Sequence, residues 1–237
     1  MATSRLARPL DAMDPFNPAR EIKAILFDFD GTLAPNLDLP DMRRQVIALT
    51  KTHNVPAQVF ADRFIVEIID AASDWLIQRG AHAQAATYQK NAHQVILDIE
   101  LTEAGKTDPF PKVPEYLTEL KNRGLKTGVV TRNCRAAIYQ VFPDIDAHMT
   151  TVCARDDVLH LKPDPRHLTD CLDILGIEAA SSAMVGDARM DMQVGRALGM
   201  VCVGVCSGSS DRAILFEAGA DMVYDFCYEY LPNEPSR

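Results

Sequence analysis

The chain has 237 residues, of which 47% are hydrophobic and 24% charged, so it is globular rather than disordered or fibrous. Its net charge of −9, without any block of lysine and arginine, excludes the basic surface that a nucleic-acid partner needs. The six cysteines include no CxxC pair, and we find no signal-peptide pattern and no apolar run of about 18 residues. We therefore expect a reduced, cytoplasmic protein with no membrane partner.

Short apolar runs alternate with amphipathic segments along most of the chain. Residues 1–20, which contain three prolines and little periodicity, predict a flexible N-terminal arm. The run 22–27 predicts a first strand that is buried on both faces of a parallel sheet. Later runs predict four more strands, at 125–130, 149–153, 181–186 and 200–205. Helical periodicity predicts helices between them, at 114–123, 165–175, 188–198 and 211–218.

This alternation predicts an α/β fold with a doubly wound, Rossmann-like parallel sheet. The stretch 38–108 breaks it, because apolar residues such as Phe64 and Ile68 recur there at helical spacing and no convincing strand is present. We therefore expect an all-helical insert at 38–108, directly after the first strand. The core would consist of residues 21–37 and 109–237.

The residues that follow each strand are the candidates for chemistry, because ligands of open α/β sheets bind at the carboxyl ends of the strands. Asp28 and Asp30 follow the first strand, can face the same side, and precede Gly31, which permits a tight turn. One carboxylate could be a nucleophile or metal ligand and the other an acid or base. Alternatively, Asp30 only hydrogen-bonds its own backbone in a turn.

Two more segments carry polar candidates. Thr131, Arg132 and Asn133 follow the second predicted strand, where a hydroxyl and backbone N–H groups could bind a phosphate oxygen. Alternatively, Thr131 or Asn133 caps the next helix. Lys162 is followed by Pro163 and by Pro165, which begins the 165–175 helix, and such a rigid loop could direct its ammonium group into the site. A solvated lysine in a turn is the alternative.

A second acid pair, Asp187 and Asp191, follows the fourth predicted strand. The two residues share one helix face, where the helix dipole favours acids even without a function. If all these ends converge, four carboxylates meet one lysine, and like charges about 4 Å apart repel by about 4 kcal/mol at an effective dielectric near 20. Such a cluster needs a cation, and oxygen ligands beside an anionic substrate favour Mg²⁺.

The order of an acid pair, a threonine, a lysine and a second acid pair resembles the haloacid-dehalogenase-like hydrolase superfamily, the phosphoglycolate-phosphatase-like members especially. The likeness runs from Ile22 to about Val223 and includes ILFDFDGTLAP, VVTRN, LKPDP and MVGDARMDM. It implies that Asp28 is a nucleophile that forms an aspartyl-phosphate. It also implies that Asp30 protonates the leaving oxygen and later activates the hydrolytic water.

The resemblance also implies the ligand sets. Mg²⁺ would be held by Asp28, the backbone carbonyl of Asp30 and Asp187, with Asp191 as a ligand or close by. The phosphoryl oxygens would be bound by Thr131 and Lys162 and by the segments at Gly31, Arg132 and Asn133. The insert would be a cap that closes over the site and excludes water. Ala188 departs from the serine or threonine that is common there, which removes no essential group.

The expected activity is hydrolysis of a small phosphorylated metabolite, such as phosphoglycolate, a sugar phosphate or a nucleotide, by a monomer or homodimer. A phosphomutase of the hexose-phosphate type keeps both aspartates and stays an alternative. A haloacid dehalogenase has no leaving oxygen for Asp30 to protonate, and a phospho-aspartate signalling module needs no large helical insert. The insert residues that contact the leaving group are not evident; the polar candidates are Arg63, Arg79, Lys90 and His93.

Overall fold

The computed structural model describes residues 21–36 and 39–233, so the predicted N-terminal arm (1–20) lies outside the described residues. Six strands form one parallel sheet: β1 (Ala24–Phe27), β2 (Lys126–Val130), β3 (Thr151–Cys153), β4 (Ser182–Gly186), β5 (Val201–Val205) and β6 (Met222–Tyr224). Their order across the sheet is β3-β2-β1-β4-β5-β6, and every neighbouring pair is parallel. The predicted α/β fold with a doubly wound sheet is confirmed.

Between β1 and β2 the chain is helical, as the sequence predicts. The insert contains α1 (Leu39–Thr52), α2 (Ala57–Phe60), α3 (Ile65–Ile77) and α4 (His82–Ala104). These helices bury their own apolar cluster, in which Ile68 and Tyr88 are fully buried. The Tyr88 hydroxyl lies 2.8 Å from that of Thr50, which gives a buried polar group a partner. The all-helical insert is therefore confirmed, whereas its limits at 38 and 108 stay a prediction.

Helices cover both faces of the sheet. They are α5 (Val113–Asn122), α6 (Arg135–Val141), α7 (Ile145–His148), α8 (Arg166–Leu175), α9 (Arg189–Ala197) and α10 (Arg212–Glu217). Ile25 and Phe27 of β1 pack into the cluster that includes α5 and α6, whereas Ala24 and Leu26 pack into the one that includes α8 and α9. This is the alternation expected of a central strand.

The parallel register determines which side chains leave the sheet together. β1 pairs with β2 on one side and with β4 on the other, and the three strands end within one residue of the same level. Asp28, Thr131 and Asp187 each follow the last residue of their strand. All three therefore start from the same carboxyl edge, although Asp28 and Asp187 are far apart in the sequence.

The structure adds one strand to the five predicted, β6 at the edge of the sheet. Its apolar run is only three residues long, between Asp221 and Asp225, and only Val223 is buried, so the local pattern is too short to predict a strand. The predicted strand 149–153 is also shorter, because only Thr151–Cys153 pairs with β2. Within the described residues, no helix is long and apolar enough to cross a membrane.

Candidate active site

Lys162 lies at the centre of the site, in the loop that precedes α8. Its side chain is 2% exposed, and its Nζ donates to Asp191 Oδ1 at 2.7 Å and lies 3.1 Å from Asp28 Oδ1. Burial by itself lowers the pKa of a lysine, but the carboxylates of Asp191 and Asp28 outweigh it and raise the pKa of Lys162 above its usual value. The buried ammonium group is therefore charged at neutral pH.

His167, in the first turn of α8, positions the loop that carries Lys162. Its Nδ1 accepts a hydrogen bond from the backbone N–H of Lys162 at 3.2 Å, and its Nε2 lies 3.1 Å from the carbonyl oxygen of Cys153. Nε2 therefore carries the ring proton. Burial, reinforced by the charge of Lys162, lowers the pKa of His167 to about 4, so the ring is neutral.

Asp28, Asp187 and Asp191 each offer an oxygen atom within 4.8 Å of the other two. Burial raises the pKa of Asp187 and raises that of Asp191 to about 7, and the charge of Asp28 adds to both shifts. One ammonium group does not balance three such carboxylates, so the cluster has an excess of negative charge. Its hard oxygen donors and this excess charge fit Mg²⁺.

The Asp187 carboxylate is held in place by a backbone amide and two close glycines. The N–H of Ser209 donates to its Oδ2 at 2.6 Å. Gly31 (φ +78°) and Gly208 lie so near that a Cβ at either position would overlap the Asp187 side chain. The Ser207 hydroxyl fixes the first glycine by donating to the Gly31 carbonyl at 2.6 Å. These contacts direct Asp187 toward the other acids.

Asp30 lies beside this acid cluster and has a different environment. The Asn133 side-chain amide donates to both of its carboxylate oxygens, at 3.2 Å each. Burial, followed by the charge of Asp28, raises the pKa of Asp30 to about 8 despite the amide contact. Asp30 is therefore a carboxylic acid at neutral pH. Its side chain is not part of the three-carboxylate cluster, so the metal contact predicted for Asp30 concerns its backbone carbonyl and stays a prediction.

The segment 131–133 connects the site to the insert. Thr131 is buried, and its hydroxyl oxygen accepts the N–H of Asn133 at 3.1 Å, which leaves the hydroxyl proton free to be donated to a ligand. Arg155 donates to the carbonyl oxygen of Arg132 at 2.9 Å. The same guanidinium group makes a two-pronged ion pair with Glu100 of α4, 2.7 Å for one N–O distance.

These groups line one cavity of about 290 Å³. The core contributes its charged and polar wall, which consists of Asp28, Asp30, Asn36, Thr131, Arg132, Asn133, Arg155, Lys162, Asp187, Asp191 and Ser209. The insert contributes Glu100 and a largely apolar wall of Met42, Phe64, Ile65, Val66 and Ile96. A cavity with one charged wall and an opposite apolar wall is suited to a small polar molecule that reacts away from bulk water.

Residues 25–205 match the family model described as haloacid dehalogenase-like hydrolase. The chain belongs to this family. A phosphoglycolate phosphatase of Mesorhizobium japonicum is 28% identical over 199 residues, covering 80% of this chain and 85% of the relative. A phosphoglycolate phosphatase of Escherichia coli is 26% identical over 241 residues, covering 91% and 94%. The predicted resemblance is confirmed, and the chain is an enzyme of the phosphatase branch.

Solved structures give this hydrolase the same fold. A structure provisionally described as a haloacid dehalogenase-like hydrolase from Bacteroides fragilis superimposes with a TM-score of 0.64 at 20% identity, covering 88% of this chain and 99% of the other. A provisional β-phosphoglucomutase from Bacteroides vulgatus superimposes with a TM-score of 0.61 at 21% identity, covering 87% and 85%. At this identity the structures show the shared fold alone.

The cavity of this hydrolase contains all of the predicted site residues except Gly31, which contacts Asp187 instead. The polar insert residues singled out from the sequence do not line it, namely Arg63, Arg79, Lys90 and His93. Sequence reasoning missed Glu100, whose signal is a carboxylate within an apolar helical face beside Ile96 and Ile99. It also missed residues without any local signal, namely Asn36, Phe64, Arg155, His167 and Ser209.

Proposed function

We propose that this hydrolase is a Mg²⁺-dependent phosphatase that releases phosphate from a small phosphorylated metabolite through an aspartyl-phosphate on Asp28. The observation that carries the proposal is the carboxylate of Asp28 beside the buried ammonium of Lys162. Asp30, whose pKa is raised to about 8 by burial, lies next to it and supports the proposal. The curated relatives, which are phosphoglycolate phosphatases, support a phosphoglycolate-like substrate. A sugar phosphate or nucleotide is chemically equivalent at the phosphoryl group.

In the first step an oxygen of Asp28 attacks phosphorus and the bond to the leaving oxygen breaks. Asp30 donates its proton to that oxygen, so the alcohol leaves neutral. Lys162 and the Thr131 hydroxyl bind the non-bridging oxygens and hold the phosphoryl group in line. Asp28, Asp187 and Asp191 would hold Mg²⁺, which would neutralise negative charge on the phosphoryl group.

In the second step Asp30, now a carboxylate, takes a proton from water, and the resulting hydroxide attacks the phosphorus of the aspartyl-phosphate. Phosphate leaves, and the carboxylate of Asp28 is restored together with the proton on Asp30. The apolar wall from the insert limits water to the molecule that reacts. Oligomeric state, monomer or homodimer, and the cytoplasmic location stay predictions.

The proposal is tested by incubating the purified protein and Mg²⁺ with a panel of phosphorylated metabolites and measuring liberated phosphate. We expect release from at least one small ester and none from Asp28→Asn, which keeps the size of the side chain but is not a nucleophile. Chromatography of the same mixtures detects sugar phosphates that have been rearranged. Rearrangement without phosphate would identify a mutase, and equal turnover by Asp28→Asn would show that the nucleophile is another residue.

A further inference from the structure

Three cationic side chains line the cavity, and two of them have carboxylate partners. Lys162 is bound to Asp191, and Arg155 is bound to Glu100. Arg132 differs, because no carboxylate within residues 21–36 and 39–233 lies at ion-pair distance from it. Its guanidinium group is half-buried, and the charges of Glu67, Asp28 and Asp191 act on it only from beyond ion-pair distance, so its N–H donors are available to an anionic group from outside the protein.

The contacts that Arg132 does make are weak ones. Its guanidinium carbon lies 4.8 Å from the ring centroid of Phe64, across the gap between core and insert. Its one side-chain hydrogen bond among the described residues is from Nη1 to the sulfur of Met190 at 3.8 Å, and a thioether is a poor acceptor. The aromatic ring can keep the guanidinium plane oriented while most of its N–H donors remain available to the cavity.

We propose that Arg132 determines substrate specificity by binding a carboxylate of the substrate, a group other than the phosphoryl that is transferred. The inference rests on the proposed function and narrows it to short phosphorylated acids. Arg132 follows Thr131 directly and shares the cavity of about 290 Å³ with Asp28, so one small molecule can contact both. The planar fork of an arginine matches the two oxygens of a carboxylate.

The test compares two substrates that differ in one group. Phosphoglycolate carries the carboxylate, and 2-hydroxyethyl phosphate replaces it with a neutral hydroxymethyl group. We expect the unmodified protein to prefer the acid in kcat/KM by about 10- to 100-fold, the effect of one charge-assisted contact. Arg132→Gln should abolish this preference, mainly through a higher KM for the acid. Arg132→Lys, which keeps the charge but not the fork, should retain part of it.

Two control variants separate recognition from a merely structural role. Arg79 also stacks on an aromatic ring, 3.7 Å from the Trp75 centroid, but lies outside the cavity, so Arg79→Gln should keep the preference. Phe64→Ala removes the stack and keeps the arginine, so the preference should fall less than in Arg132→Gln.

The outcomes are distinct. Equal losses for both substrates in Arg132→Gln and Arg132→Lys, or no preference in the unmodified protein, would overturn the role of Arg132 while the phosphatase activity stands. If Arg132→Gln does not fold, the ratio in Arg132→Lys decides by itself. If the unmodified protein releases phosphate from neither compound nor from any other phosphate ester, the proposed function fails, and this inference fails with it.

Discussion

Asp30 shows how one residue type serves two purposes in one site. Asp28 and Asp30 are two positions apart, yet the first contacts Lys162 whereas the second contacts the Asn133 amide and has its pKa raised to about 8. A buried carboxyl group with a raised pKa keeps its proton near neutral pH, which makes Asp30 the candidate proton donor. The sequence identifies the pair, but the Asn133 partner comes from 103 positions away and leaves no local signal.

The proposed role of Asp30 predicts a dependence on the leaving group. In Asp30→Asn, we expect the first turnover of an alkyl phosphate to slow by about 10²- to 10⁴-fold, because the alkoxide leaves without a proton. A nitrophenyl phosphate should lose much less, since nitrophenolate is a stable anion. Single-turnover release of the alcohol or phenol measures both, with Asp28→Asn as the inactive control. Equal losses for the two esters would contradict proton donation by Asp30.

His167 predicts a pH dependence of stability. Its pKa is about 4 in the folded protein and near 6.5 when unfolded, so the unfolded chain binds more protons between these values. The contribution of neutral His167 to the free energy of unfolding is therefore fully present above about pH 6.5. It is lost as the pH falls toward 4, by up to about 3 kcal/mol. Urea unfolding across this range should give a flatter profile for His167→Gln than for the unmodified protein. His82→Gln, at an exposed position, is the control and should keep the profile of the unmodified protein. If the unfolding free energy of His167→Gln changes with pH as steeply as that of the unmodified protein, the lowered pKa of His167 is contradicted.

At the scale of elements, predictability depends on how local the signal is. Helix α8 ends at Gly176 with φ +63°, a left-handed terminus that glycine favours, and the sequence predicts this end correctly. Strand β6 was missed because its burial depends on β5 and α10 rather than on its own pattern. The pair of Glu100 with Arg155 likewise joins α4 to a core loop 55 positions away, and no spacing rule predicts it.

The ion pair of Glu100 with Arg155 predicts that two glutamates of α4 differ in how much they contribute to the free energy of unfolding. Glu100 is buried and Arg155 half-buried, with side chains 3% and 15% exposed, so Glu100→Ala leaves a mostly enclosed guanidinium group without its carboxylate partner. We expect a loss of about 3 to 5 kcal/mol in the free energy of unfolding. Glu103→Ala, on the same helix, breaks a more exposed pair with Lys106 and should cost about 1 kcal/mol or less. Denaturant titration of both variants measures the contrast, and similar losses would mean that the buried pair contributes little.

For the molecule as a whole, the core supplies the charge and the insert supplies the enclosure. Strands β1 and β4 and helix α9 place Asp28, Asp187 and Asp191 together. Helices α1, α3 and α4 form the opposite wall of the cavity. Residues drawn from nearly the whole chain meet there, and folding brings their like charges together. The free energy of unfolding should therefore depend on a divalent cation, which relieves the repulsion.

This dependence has a sign that distinguishes a metal site from an ordinary acidic cluster. With Mg²⁺ at about 100 times its dissociation constant, we expect the unmodified protein to gain about 2.7 kcal/mol in the free energy of unfolding. Asp187→Asn removes one ligand, so it should lose this gain. In EDTA the same variant should be at least as stable as the unmodified protein, because one buried like charge is gone and the asparagine oxygen can still accept the Ser209 N–H.

Thermal unfolding in Mg²⁺ and in EDTA, combined with phosphate release, measures the effect, and Asp173→Asn on the exposed face of α8 is the control that should keep the full gain. EDTA should also stop turnover of the unmodified protein, and Mg²⁺ should restore it. If Asp187→Asn keeps the stabilisation by Mg²⁺, the cation binds at a site other than the three-carboxylate cluster. Undiminished turnover under chelation would exclude a catalytic role for the cation.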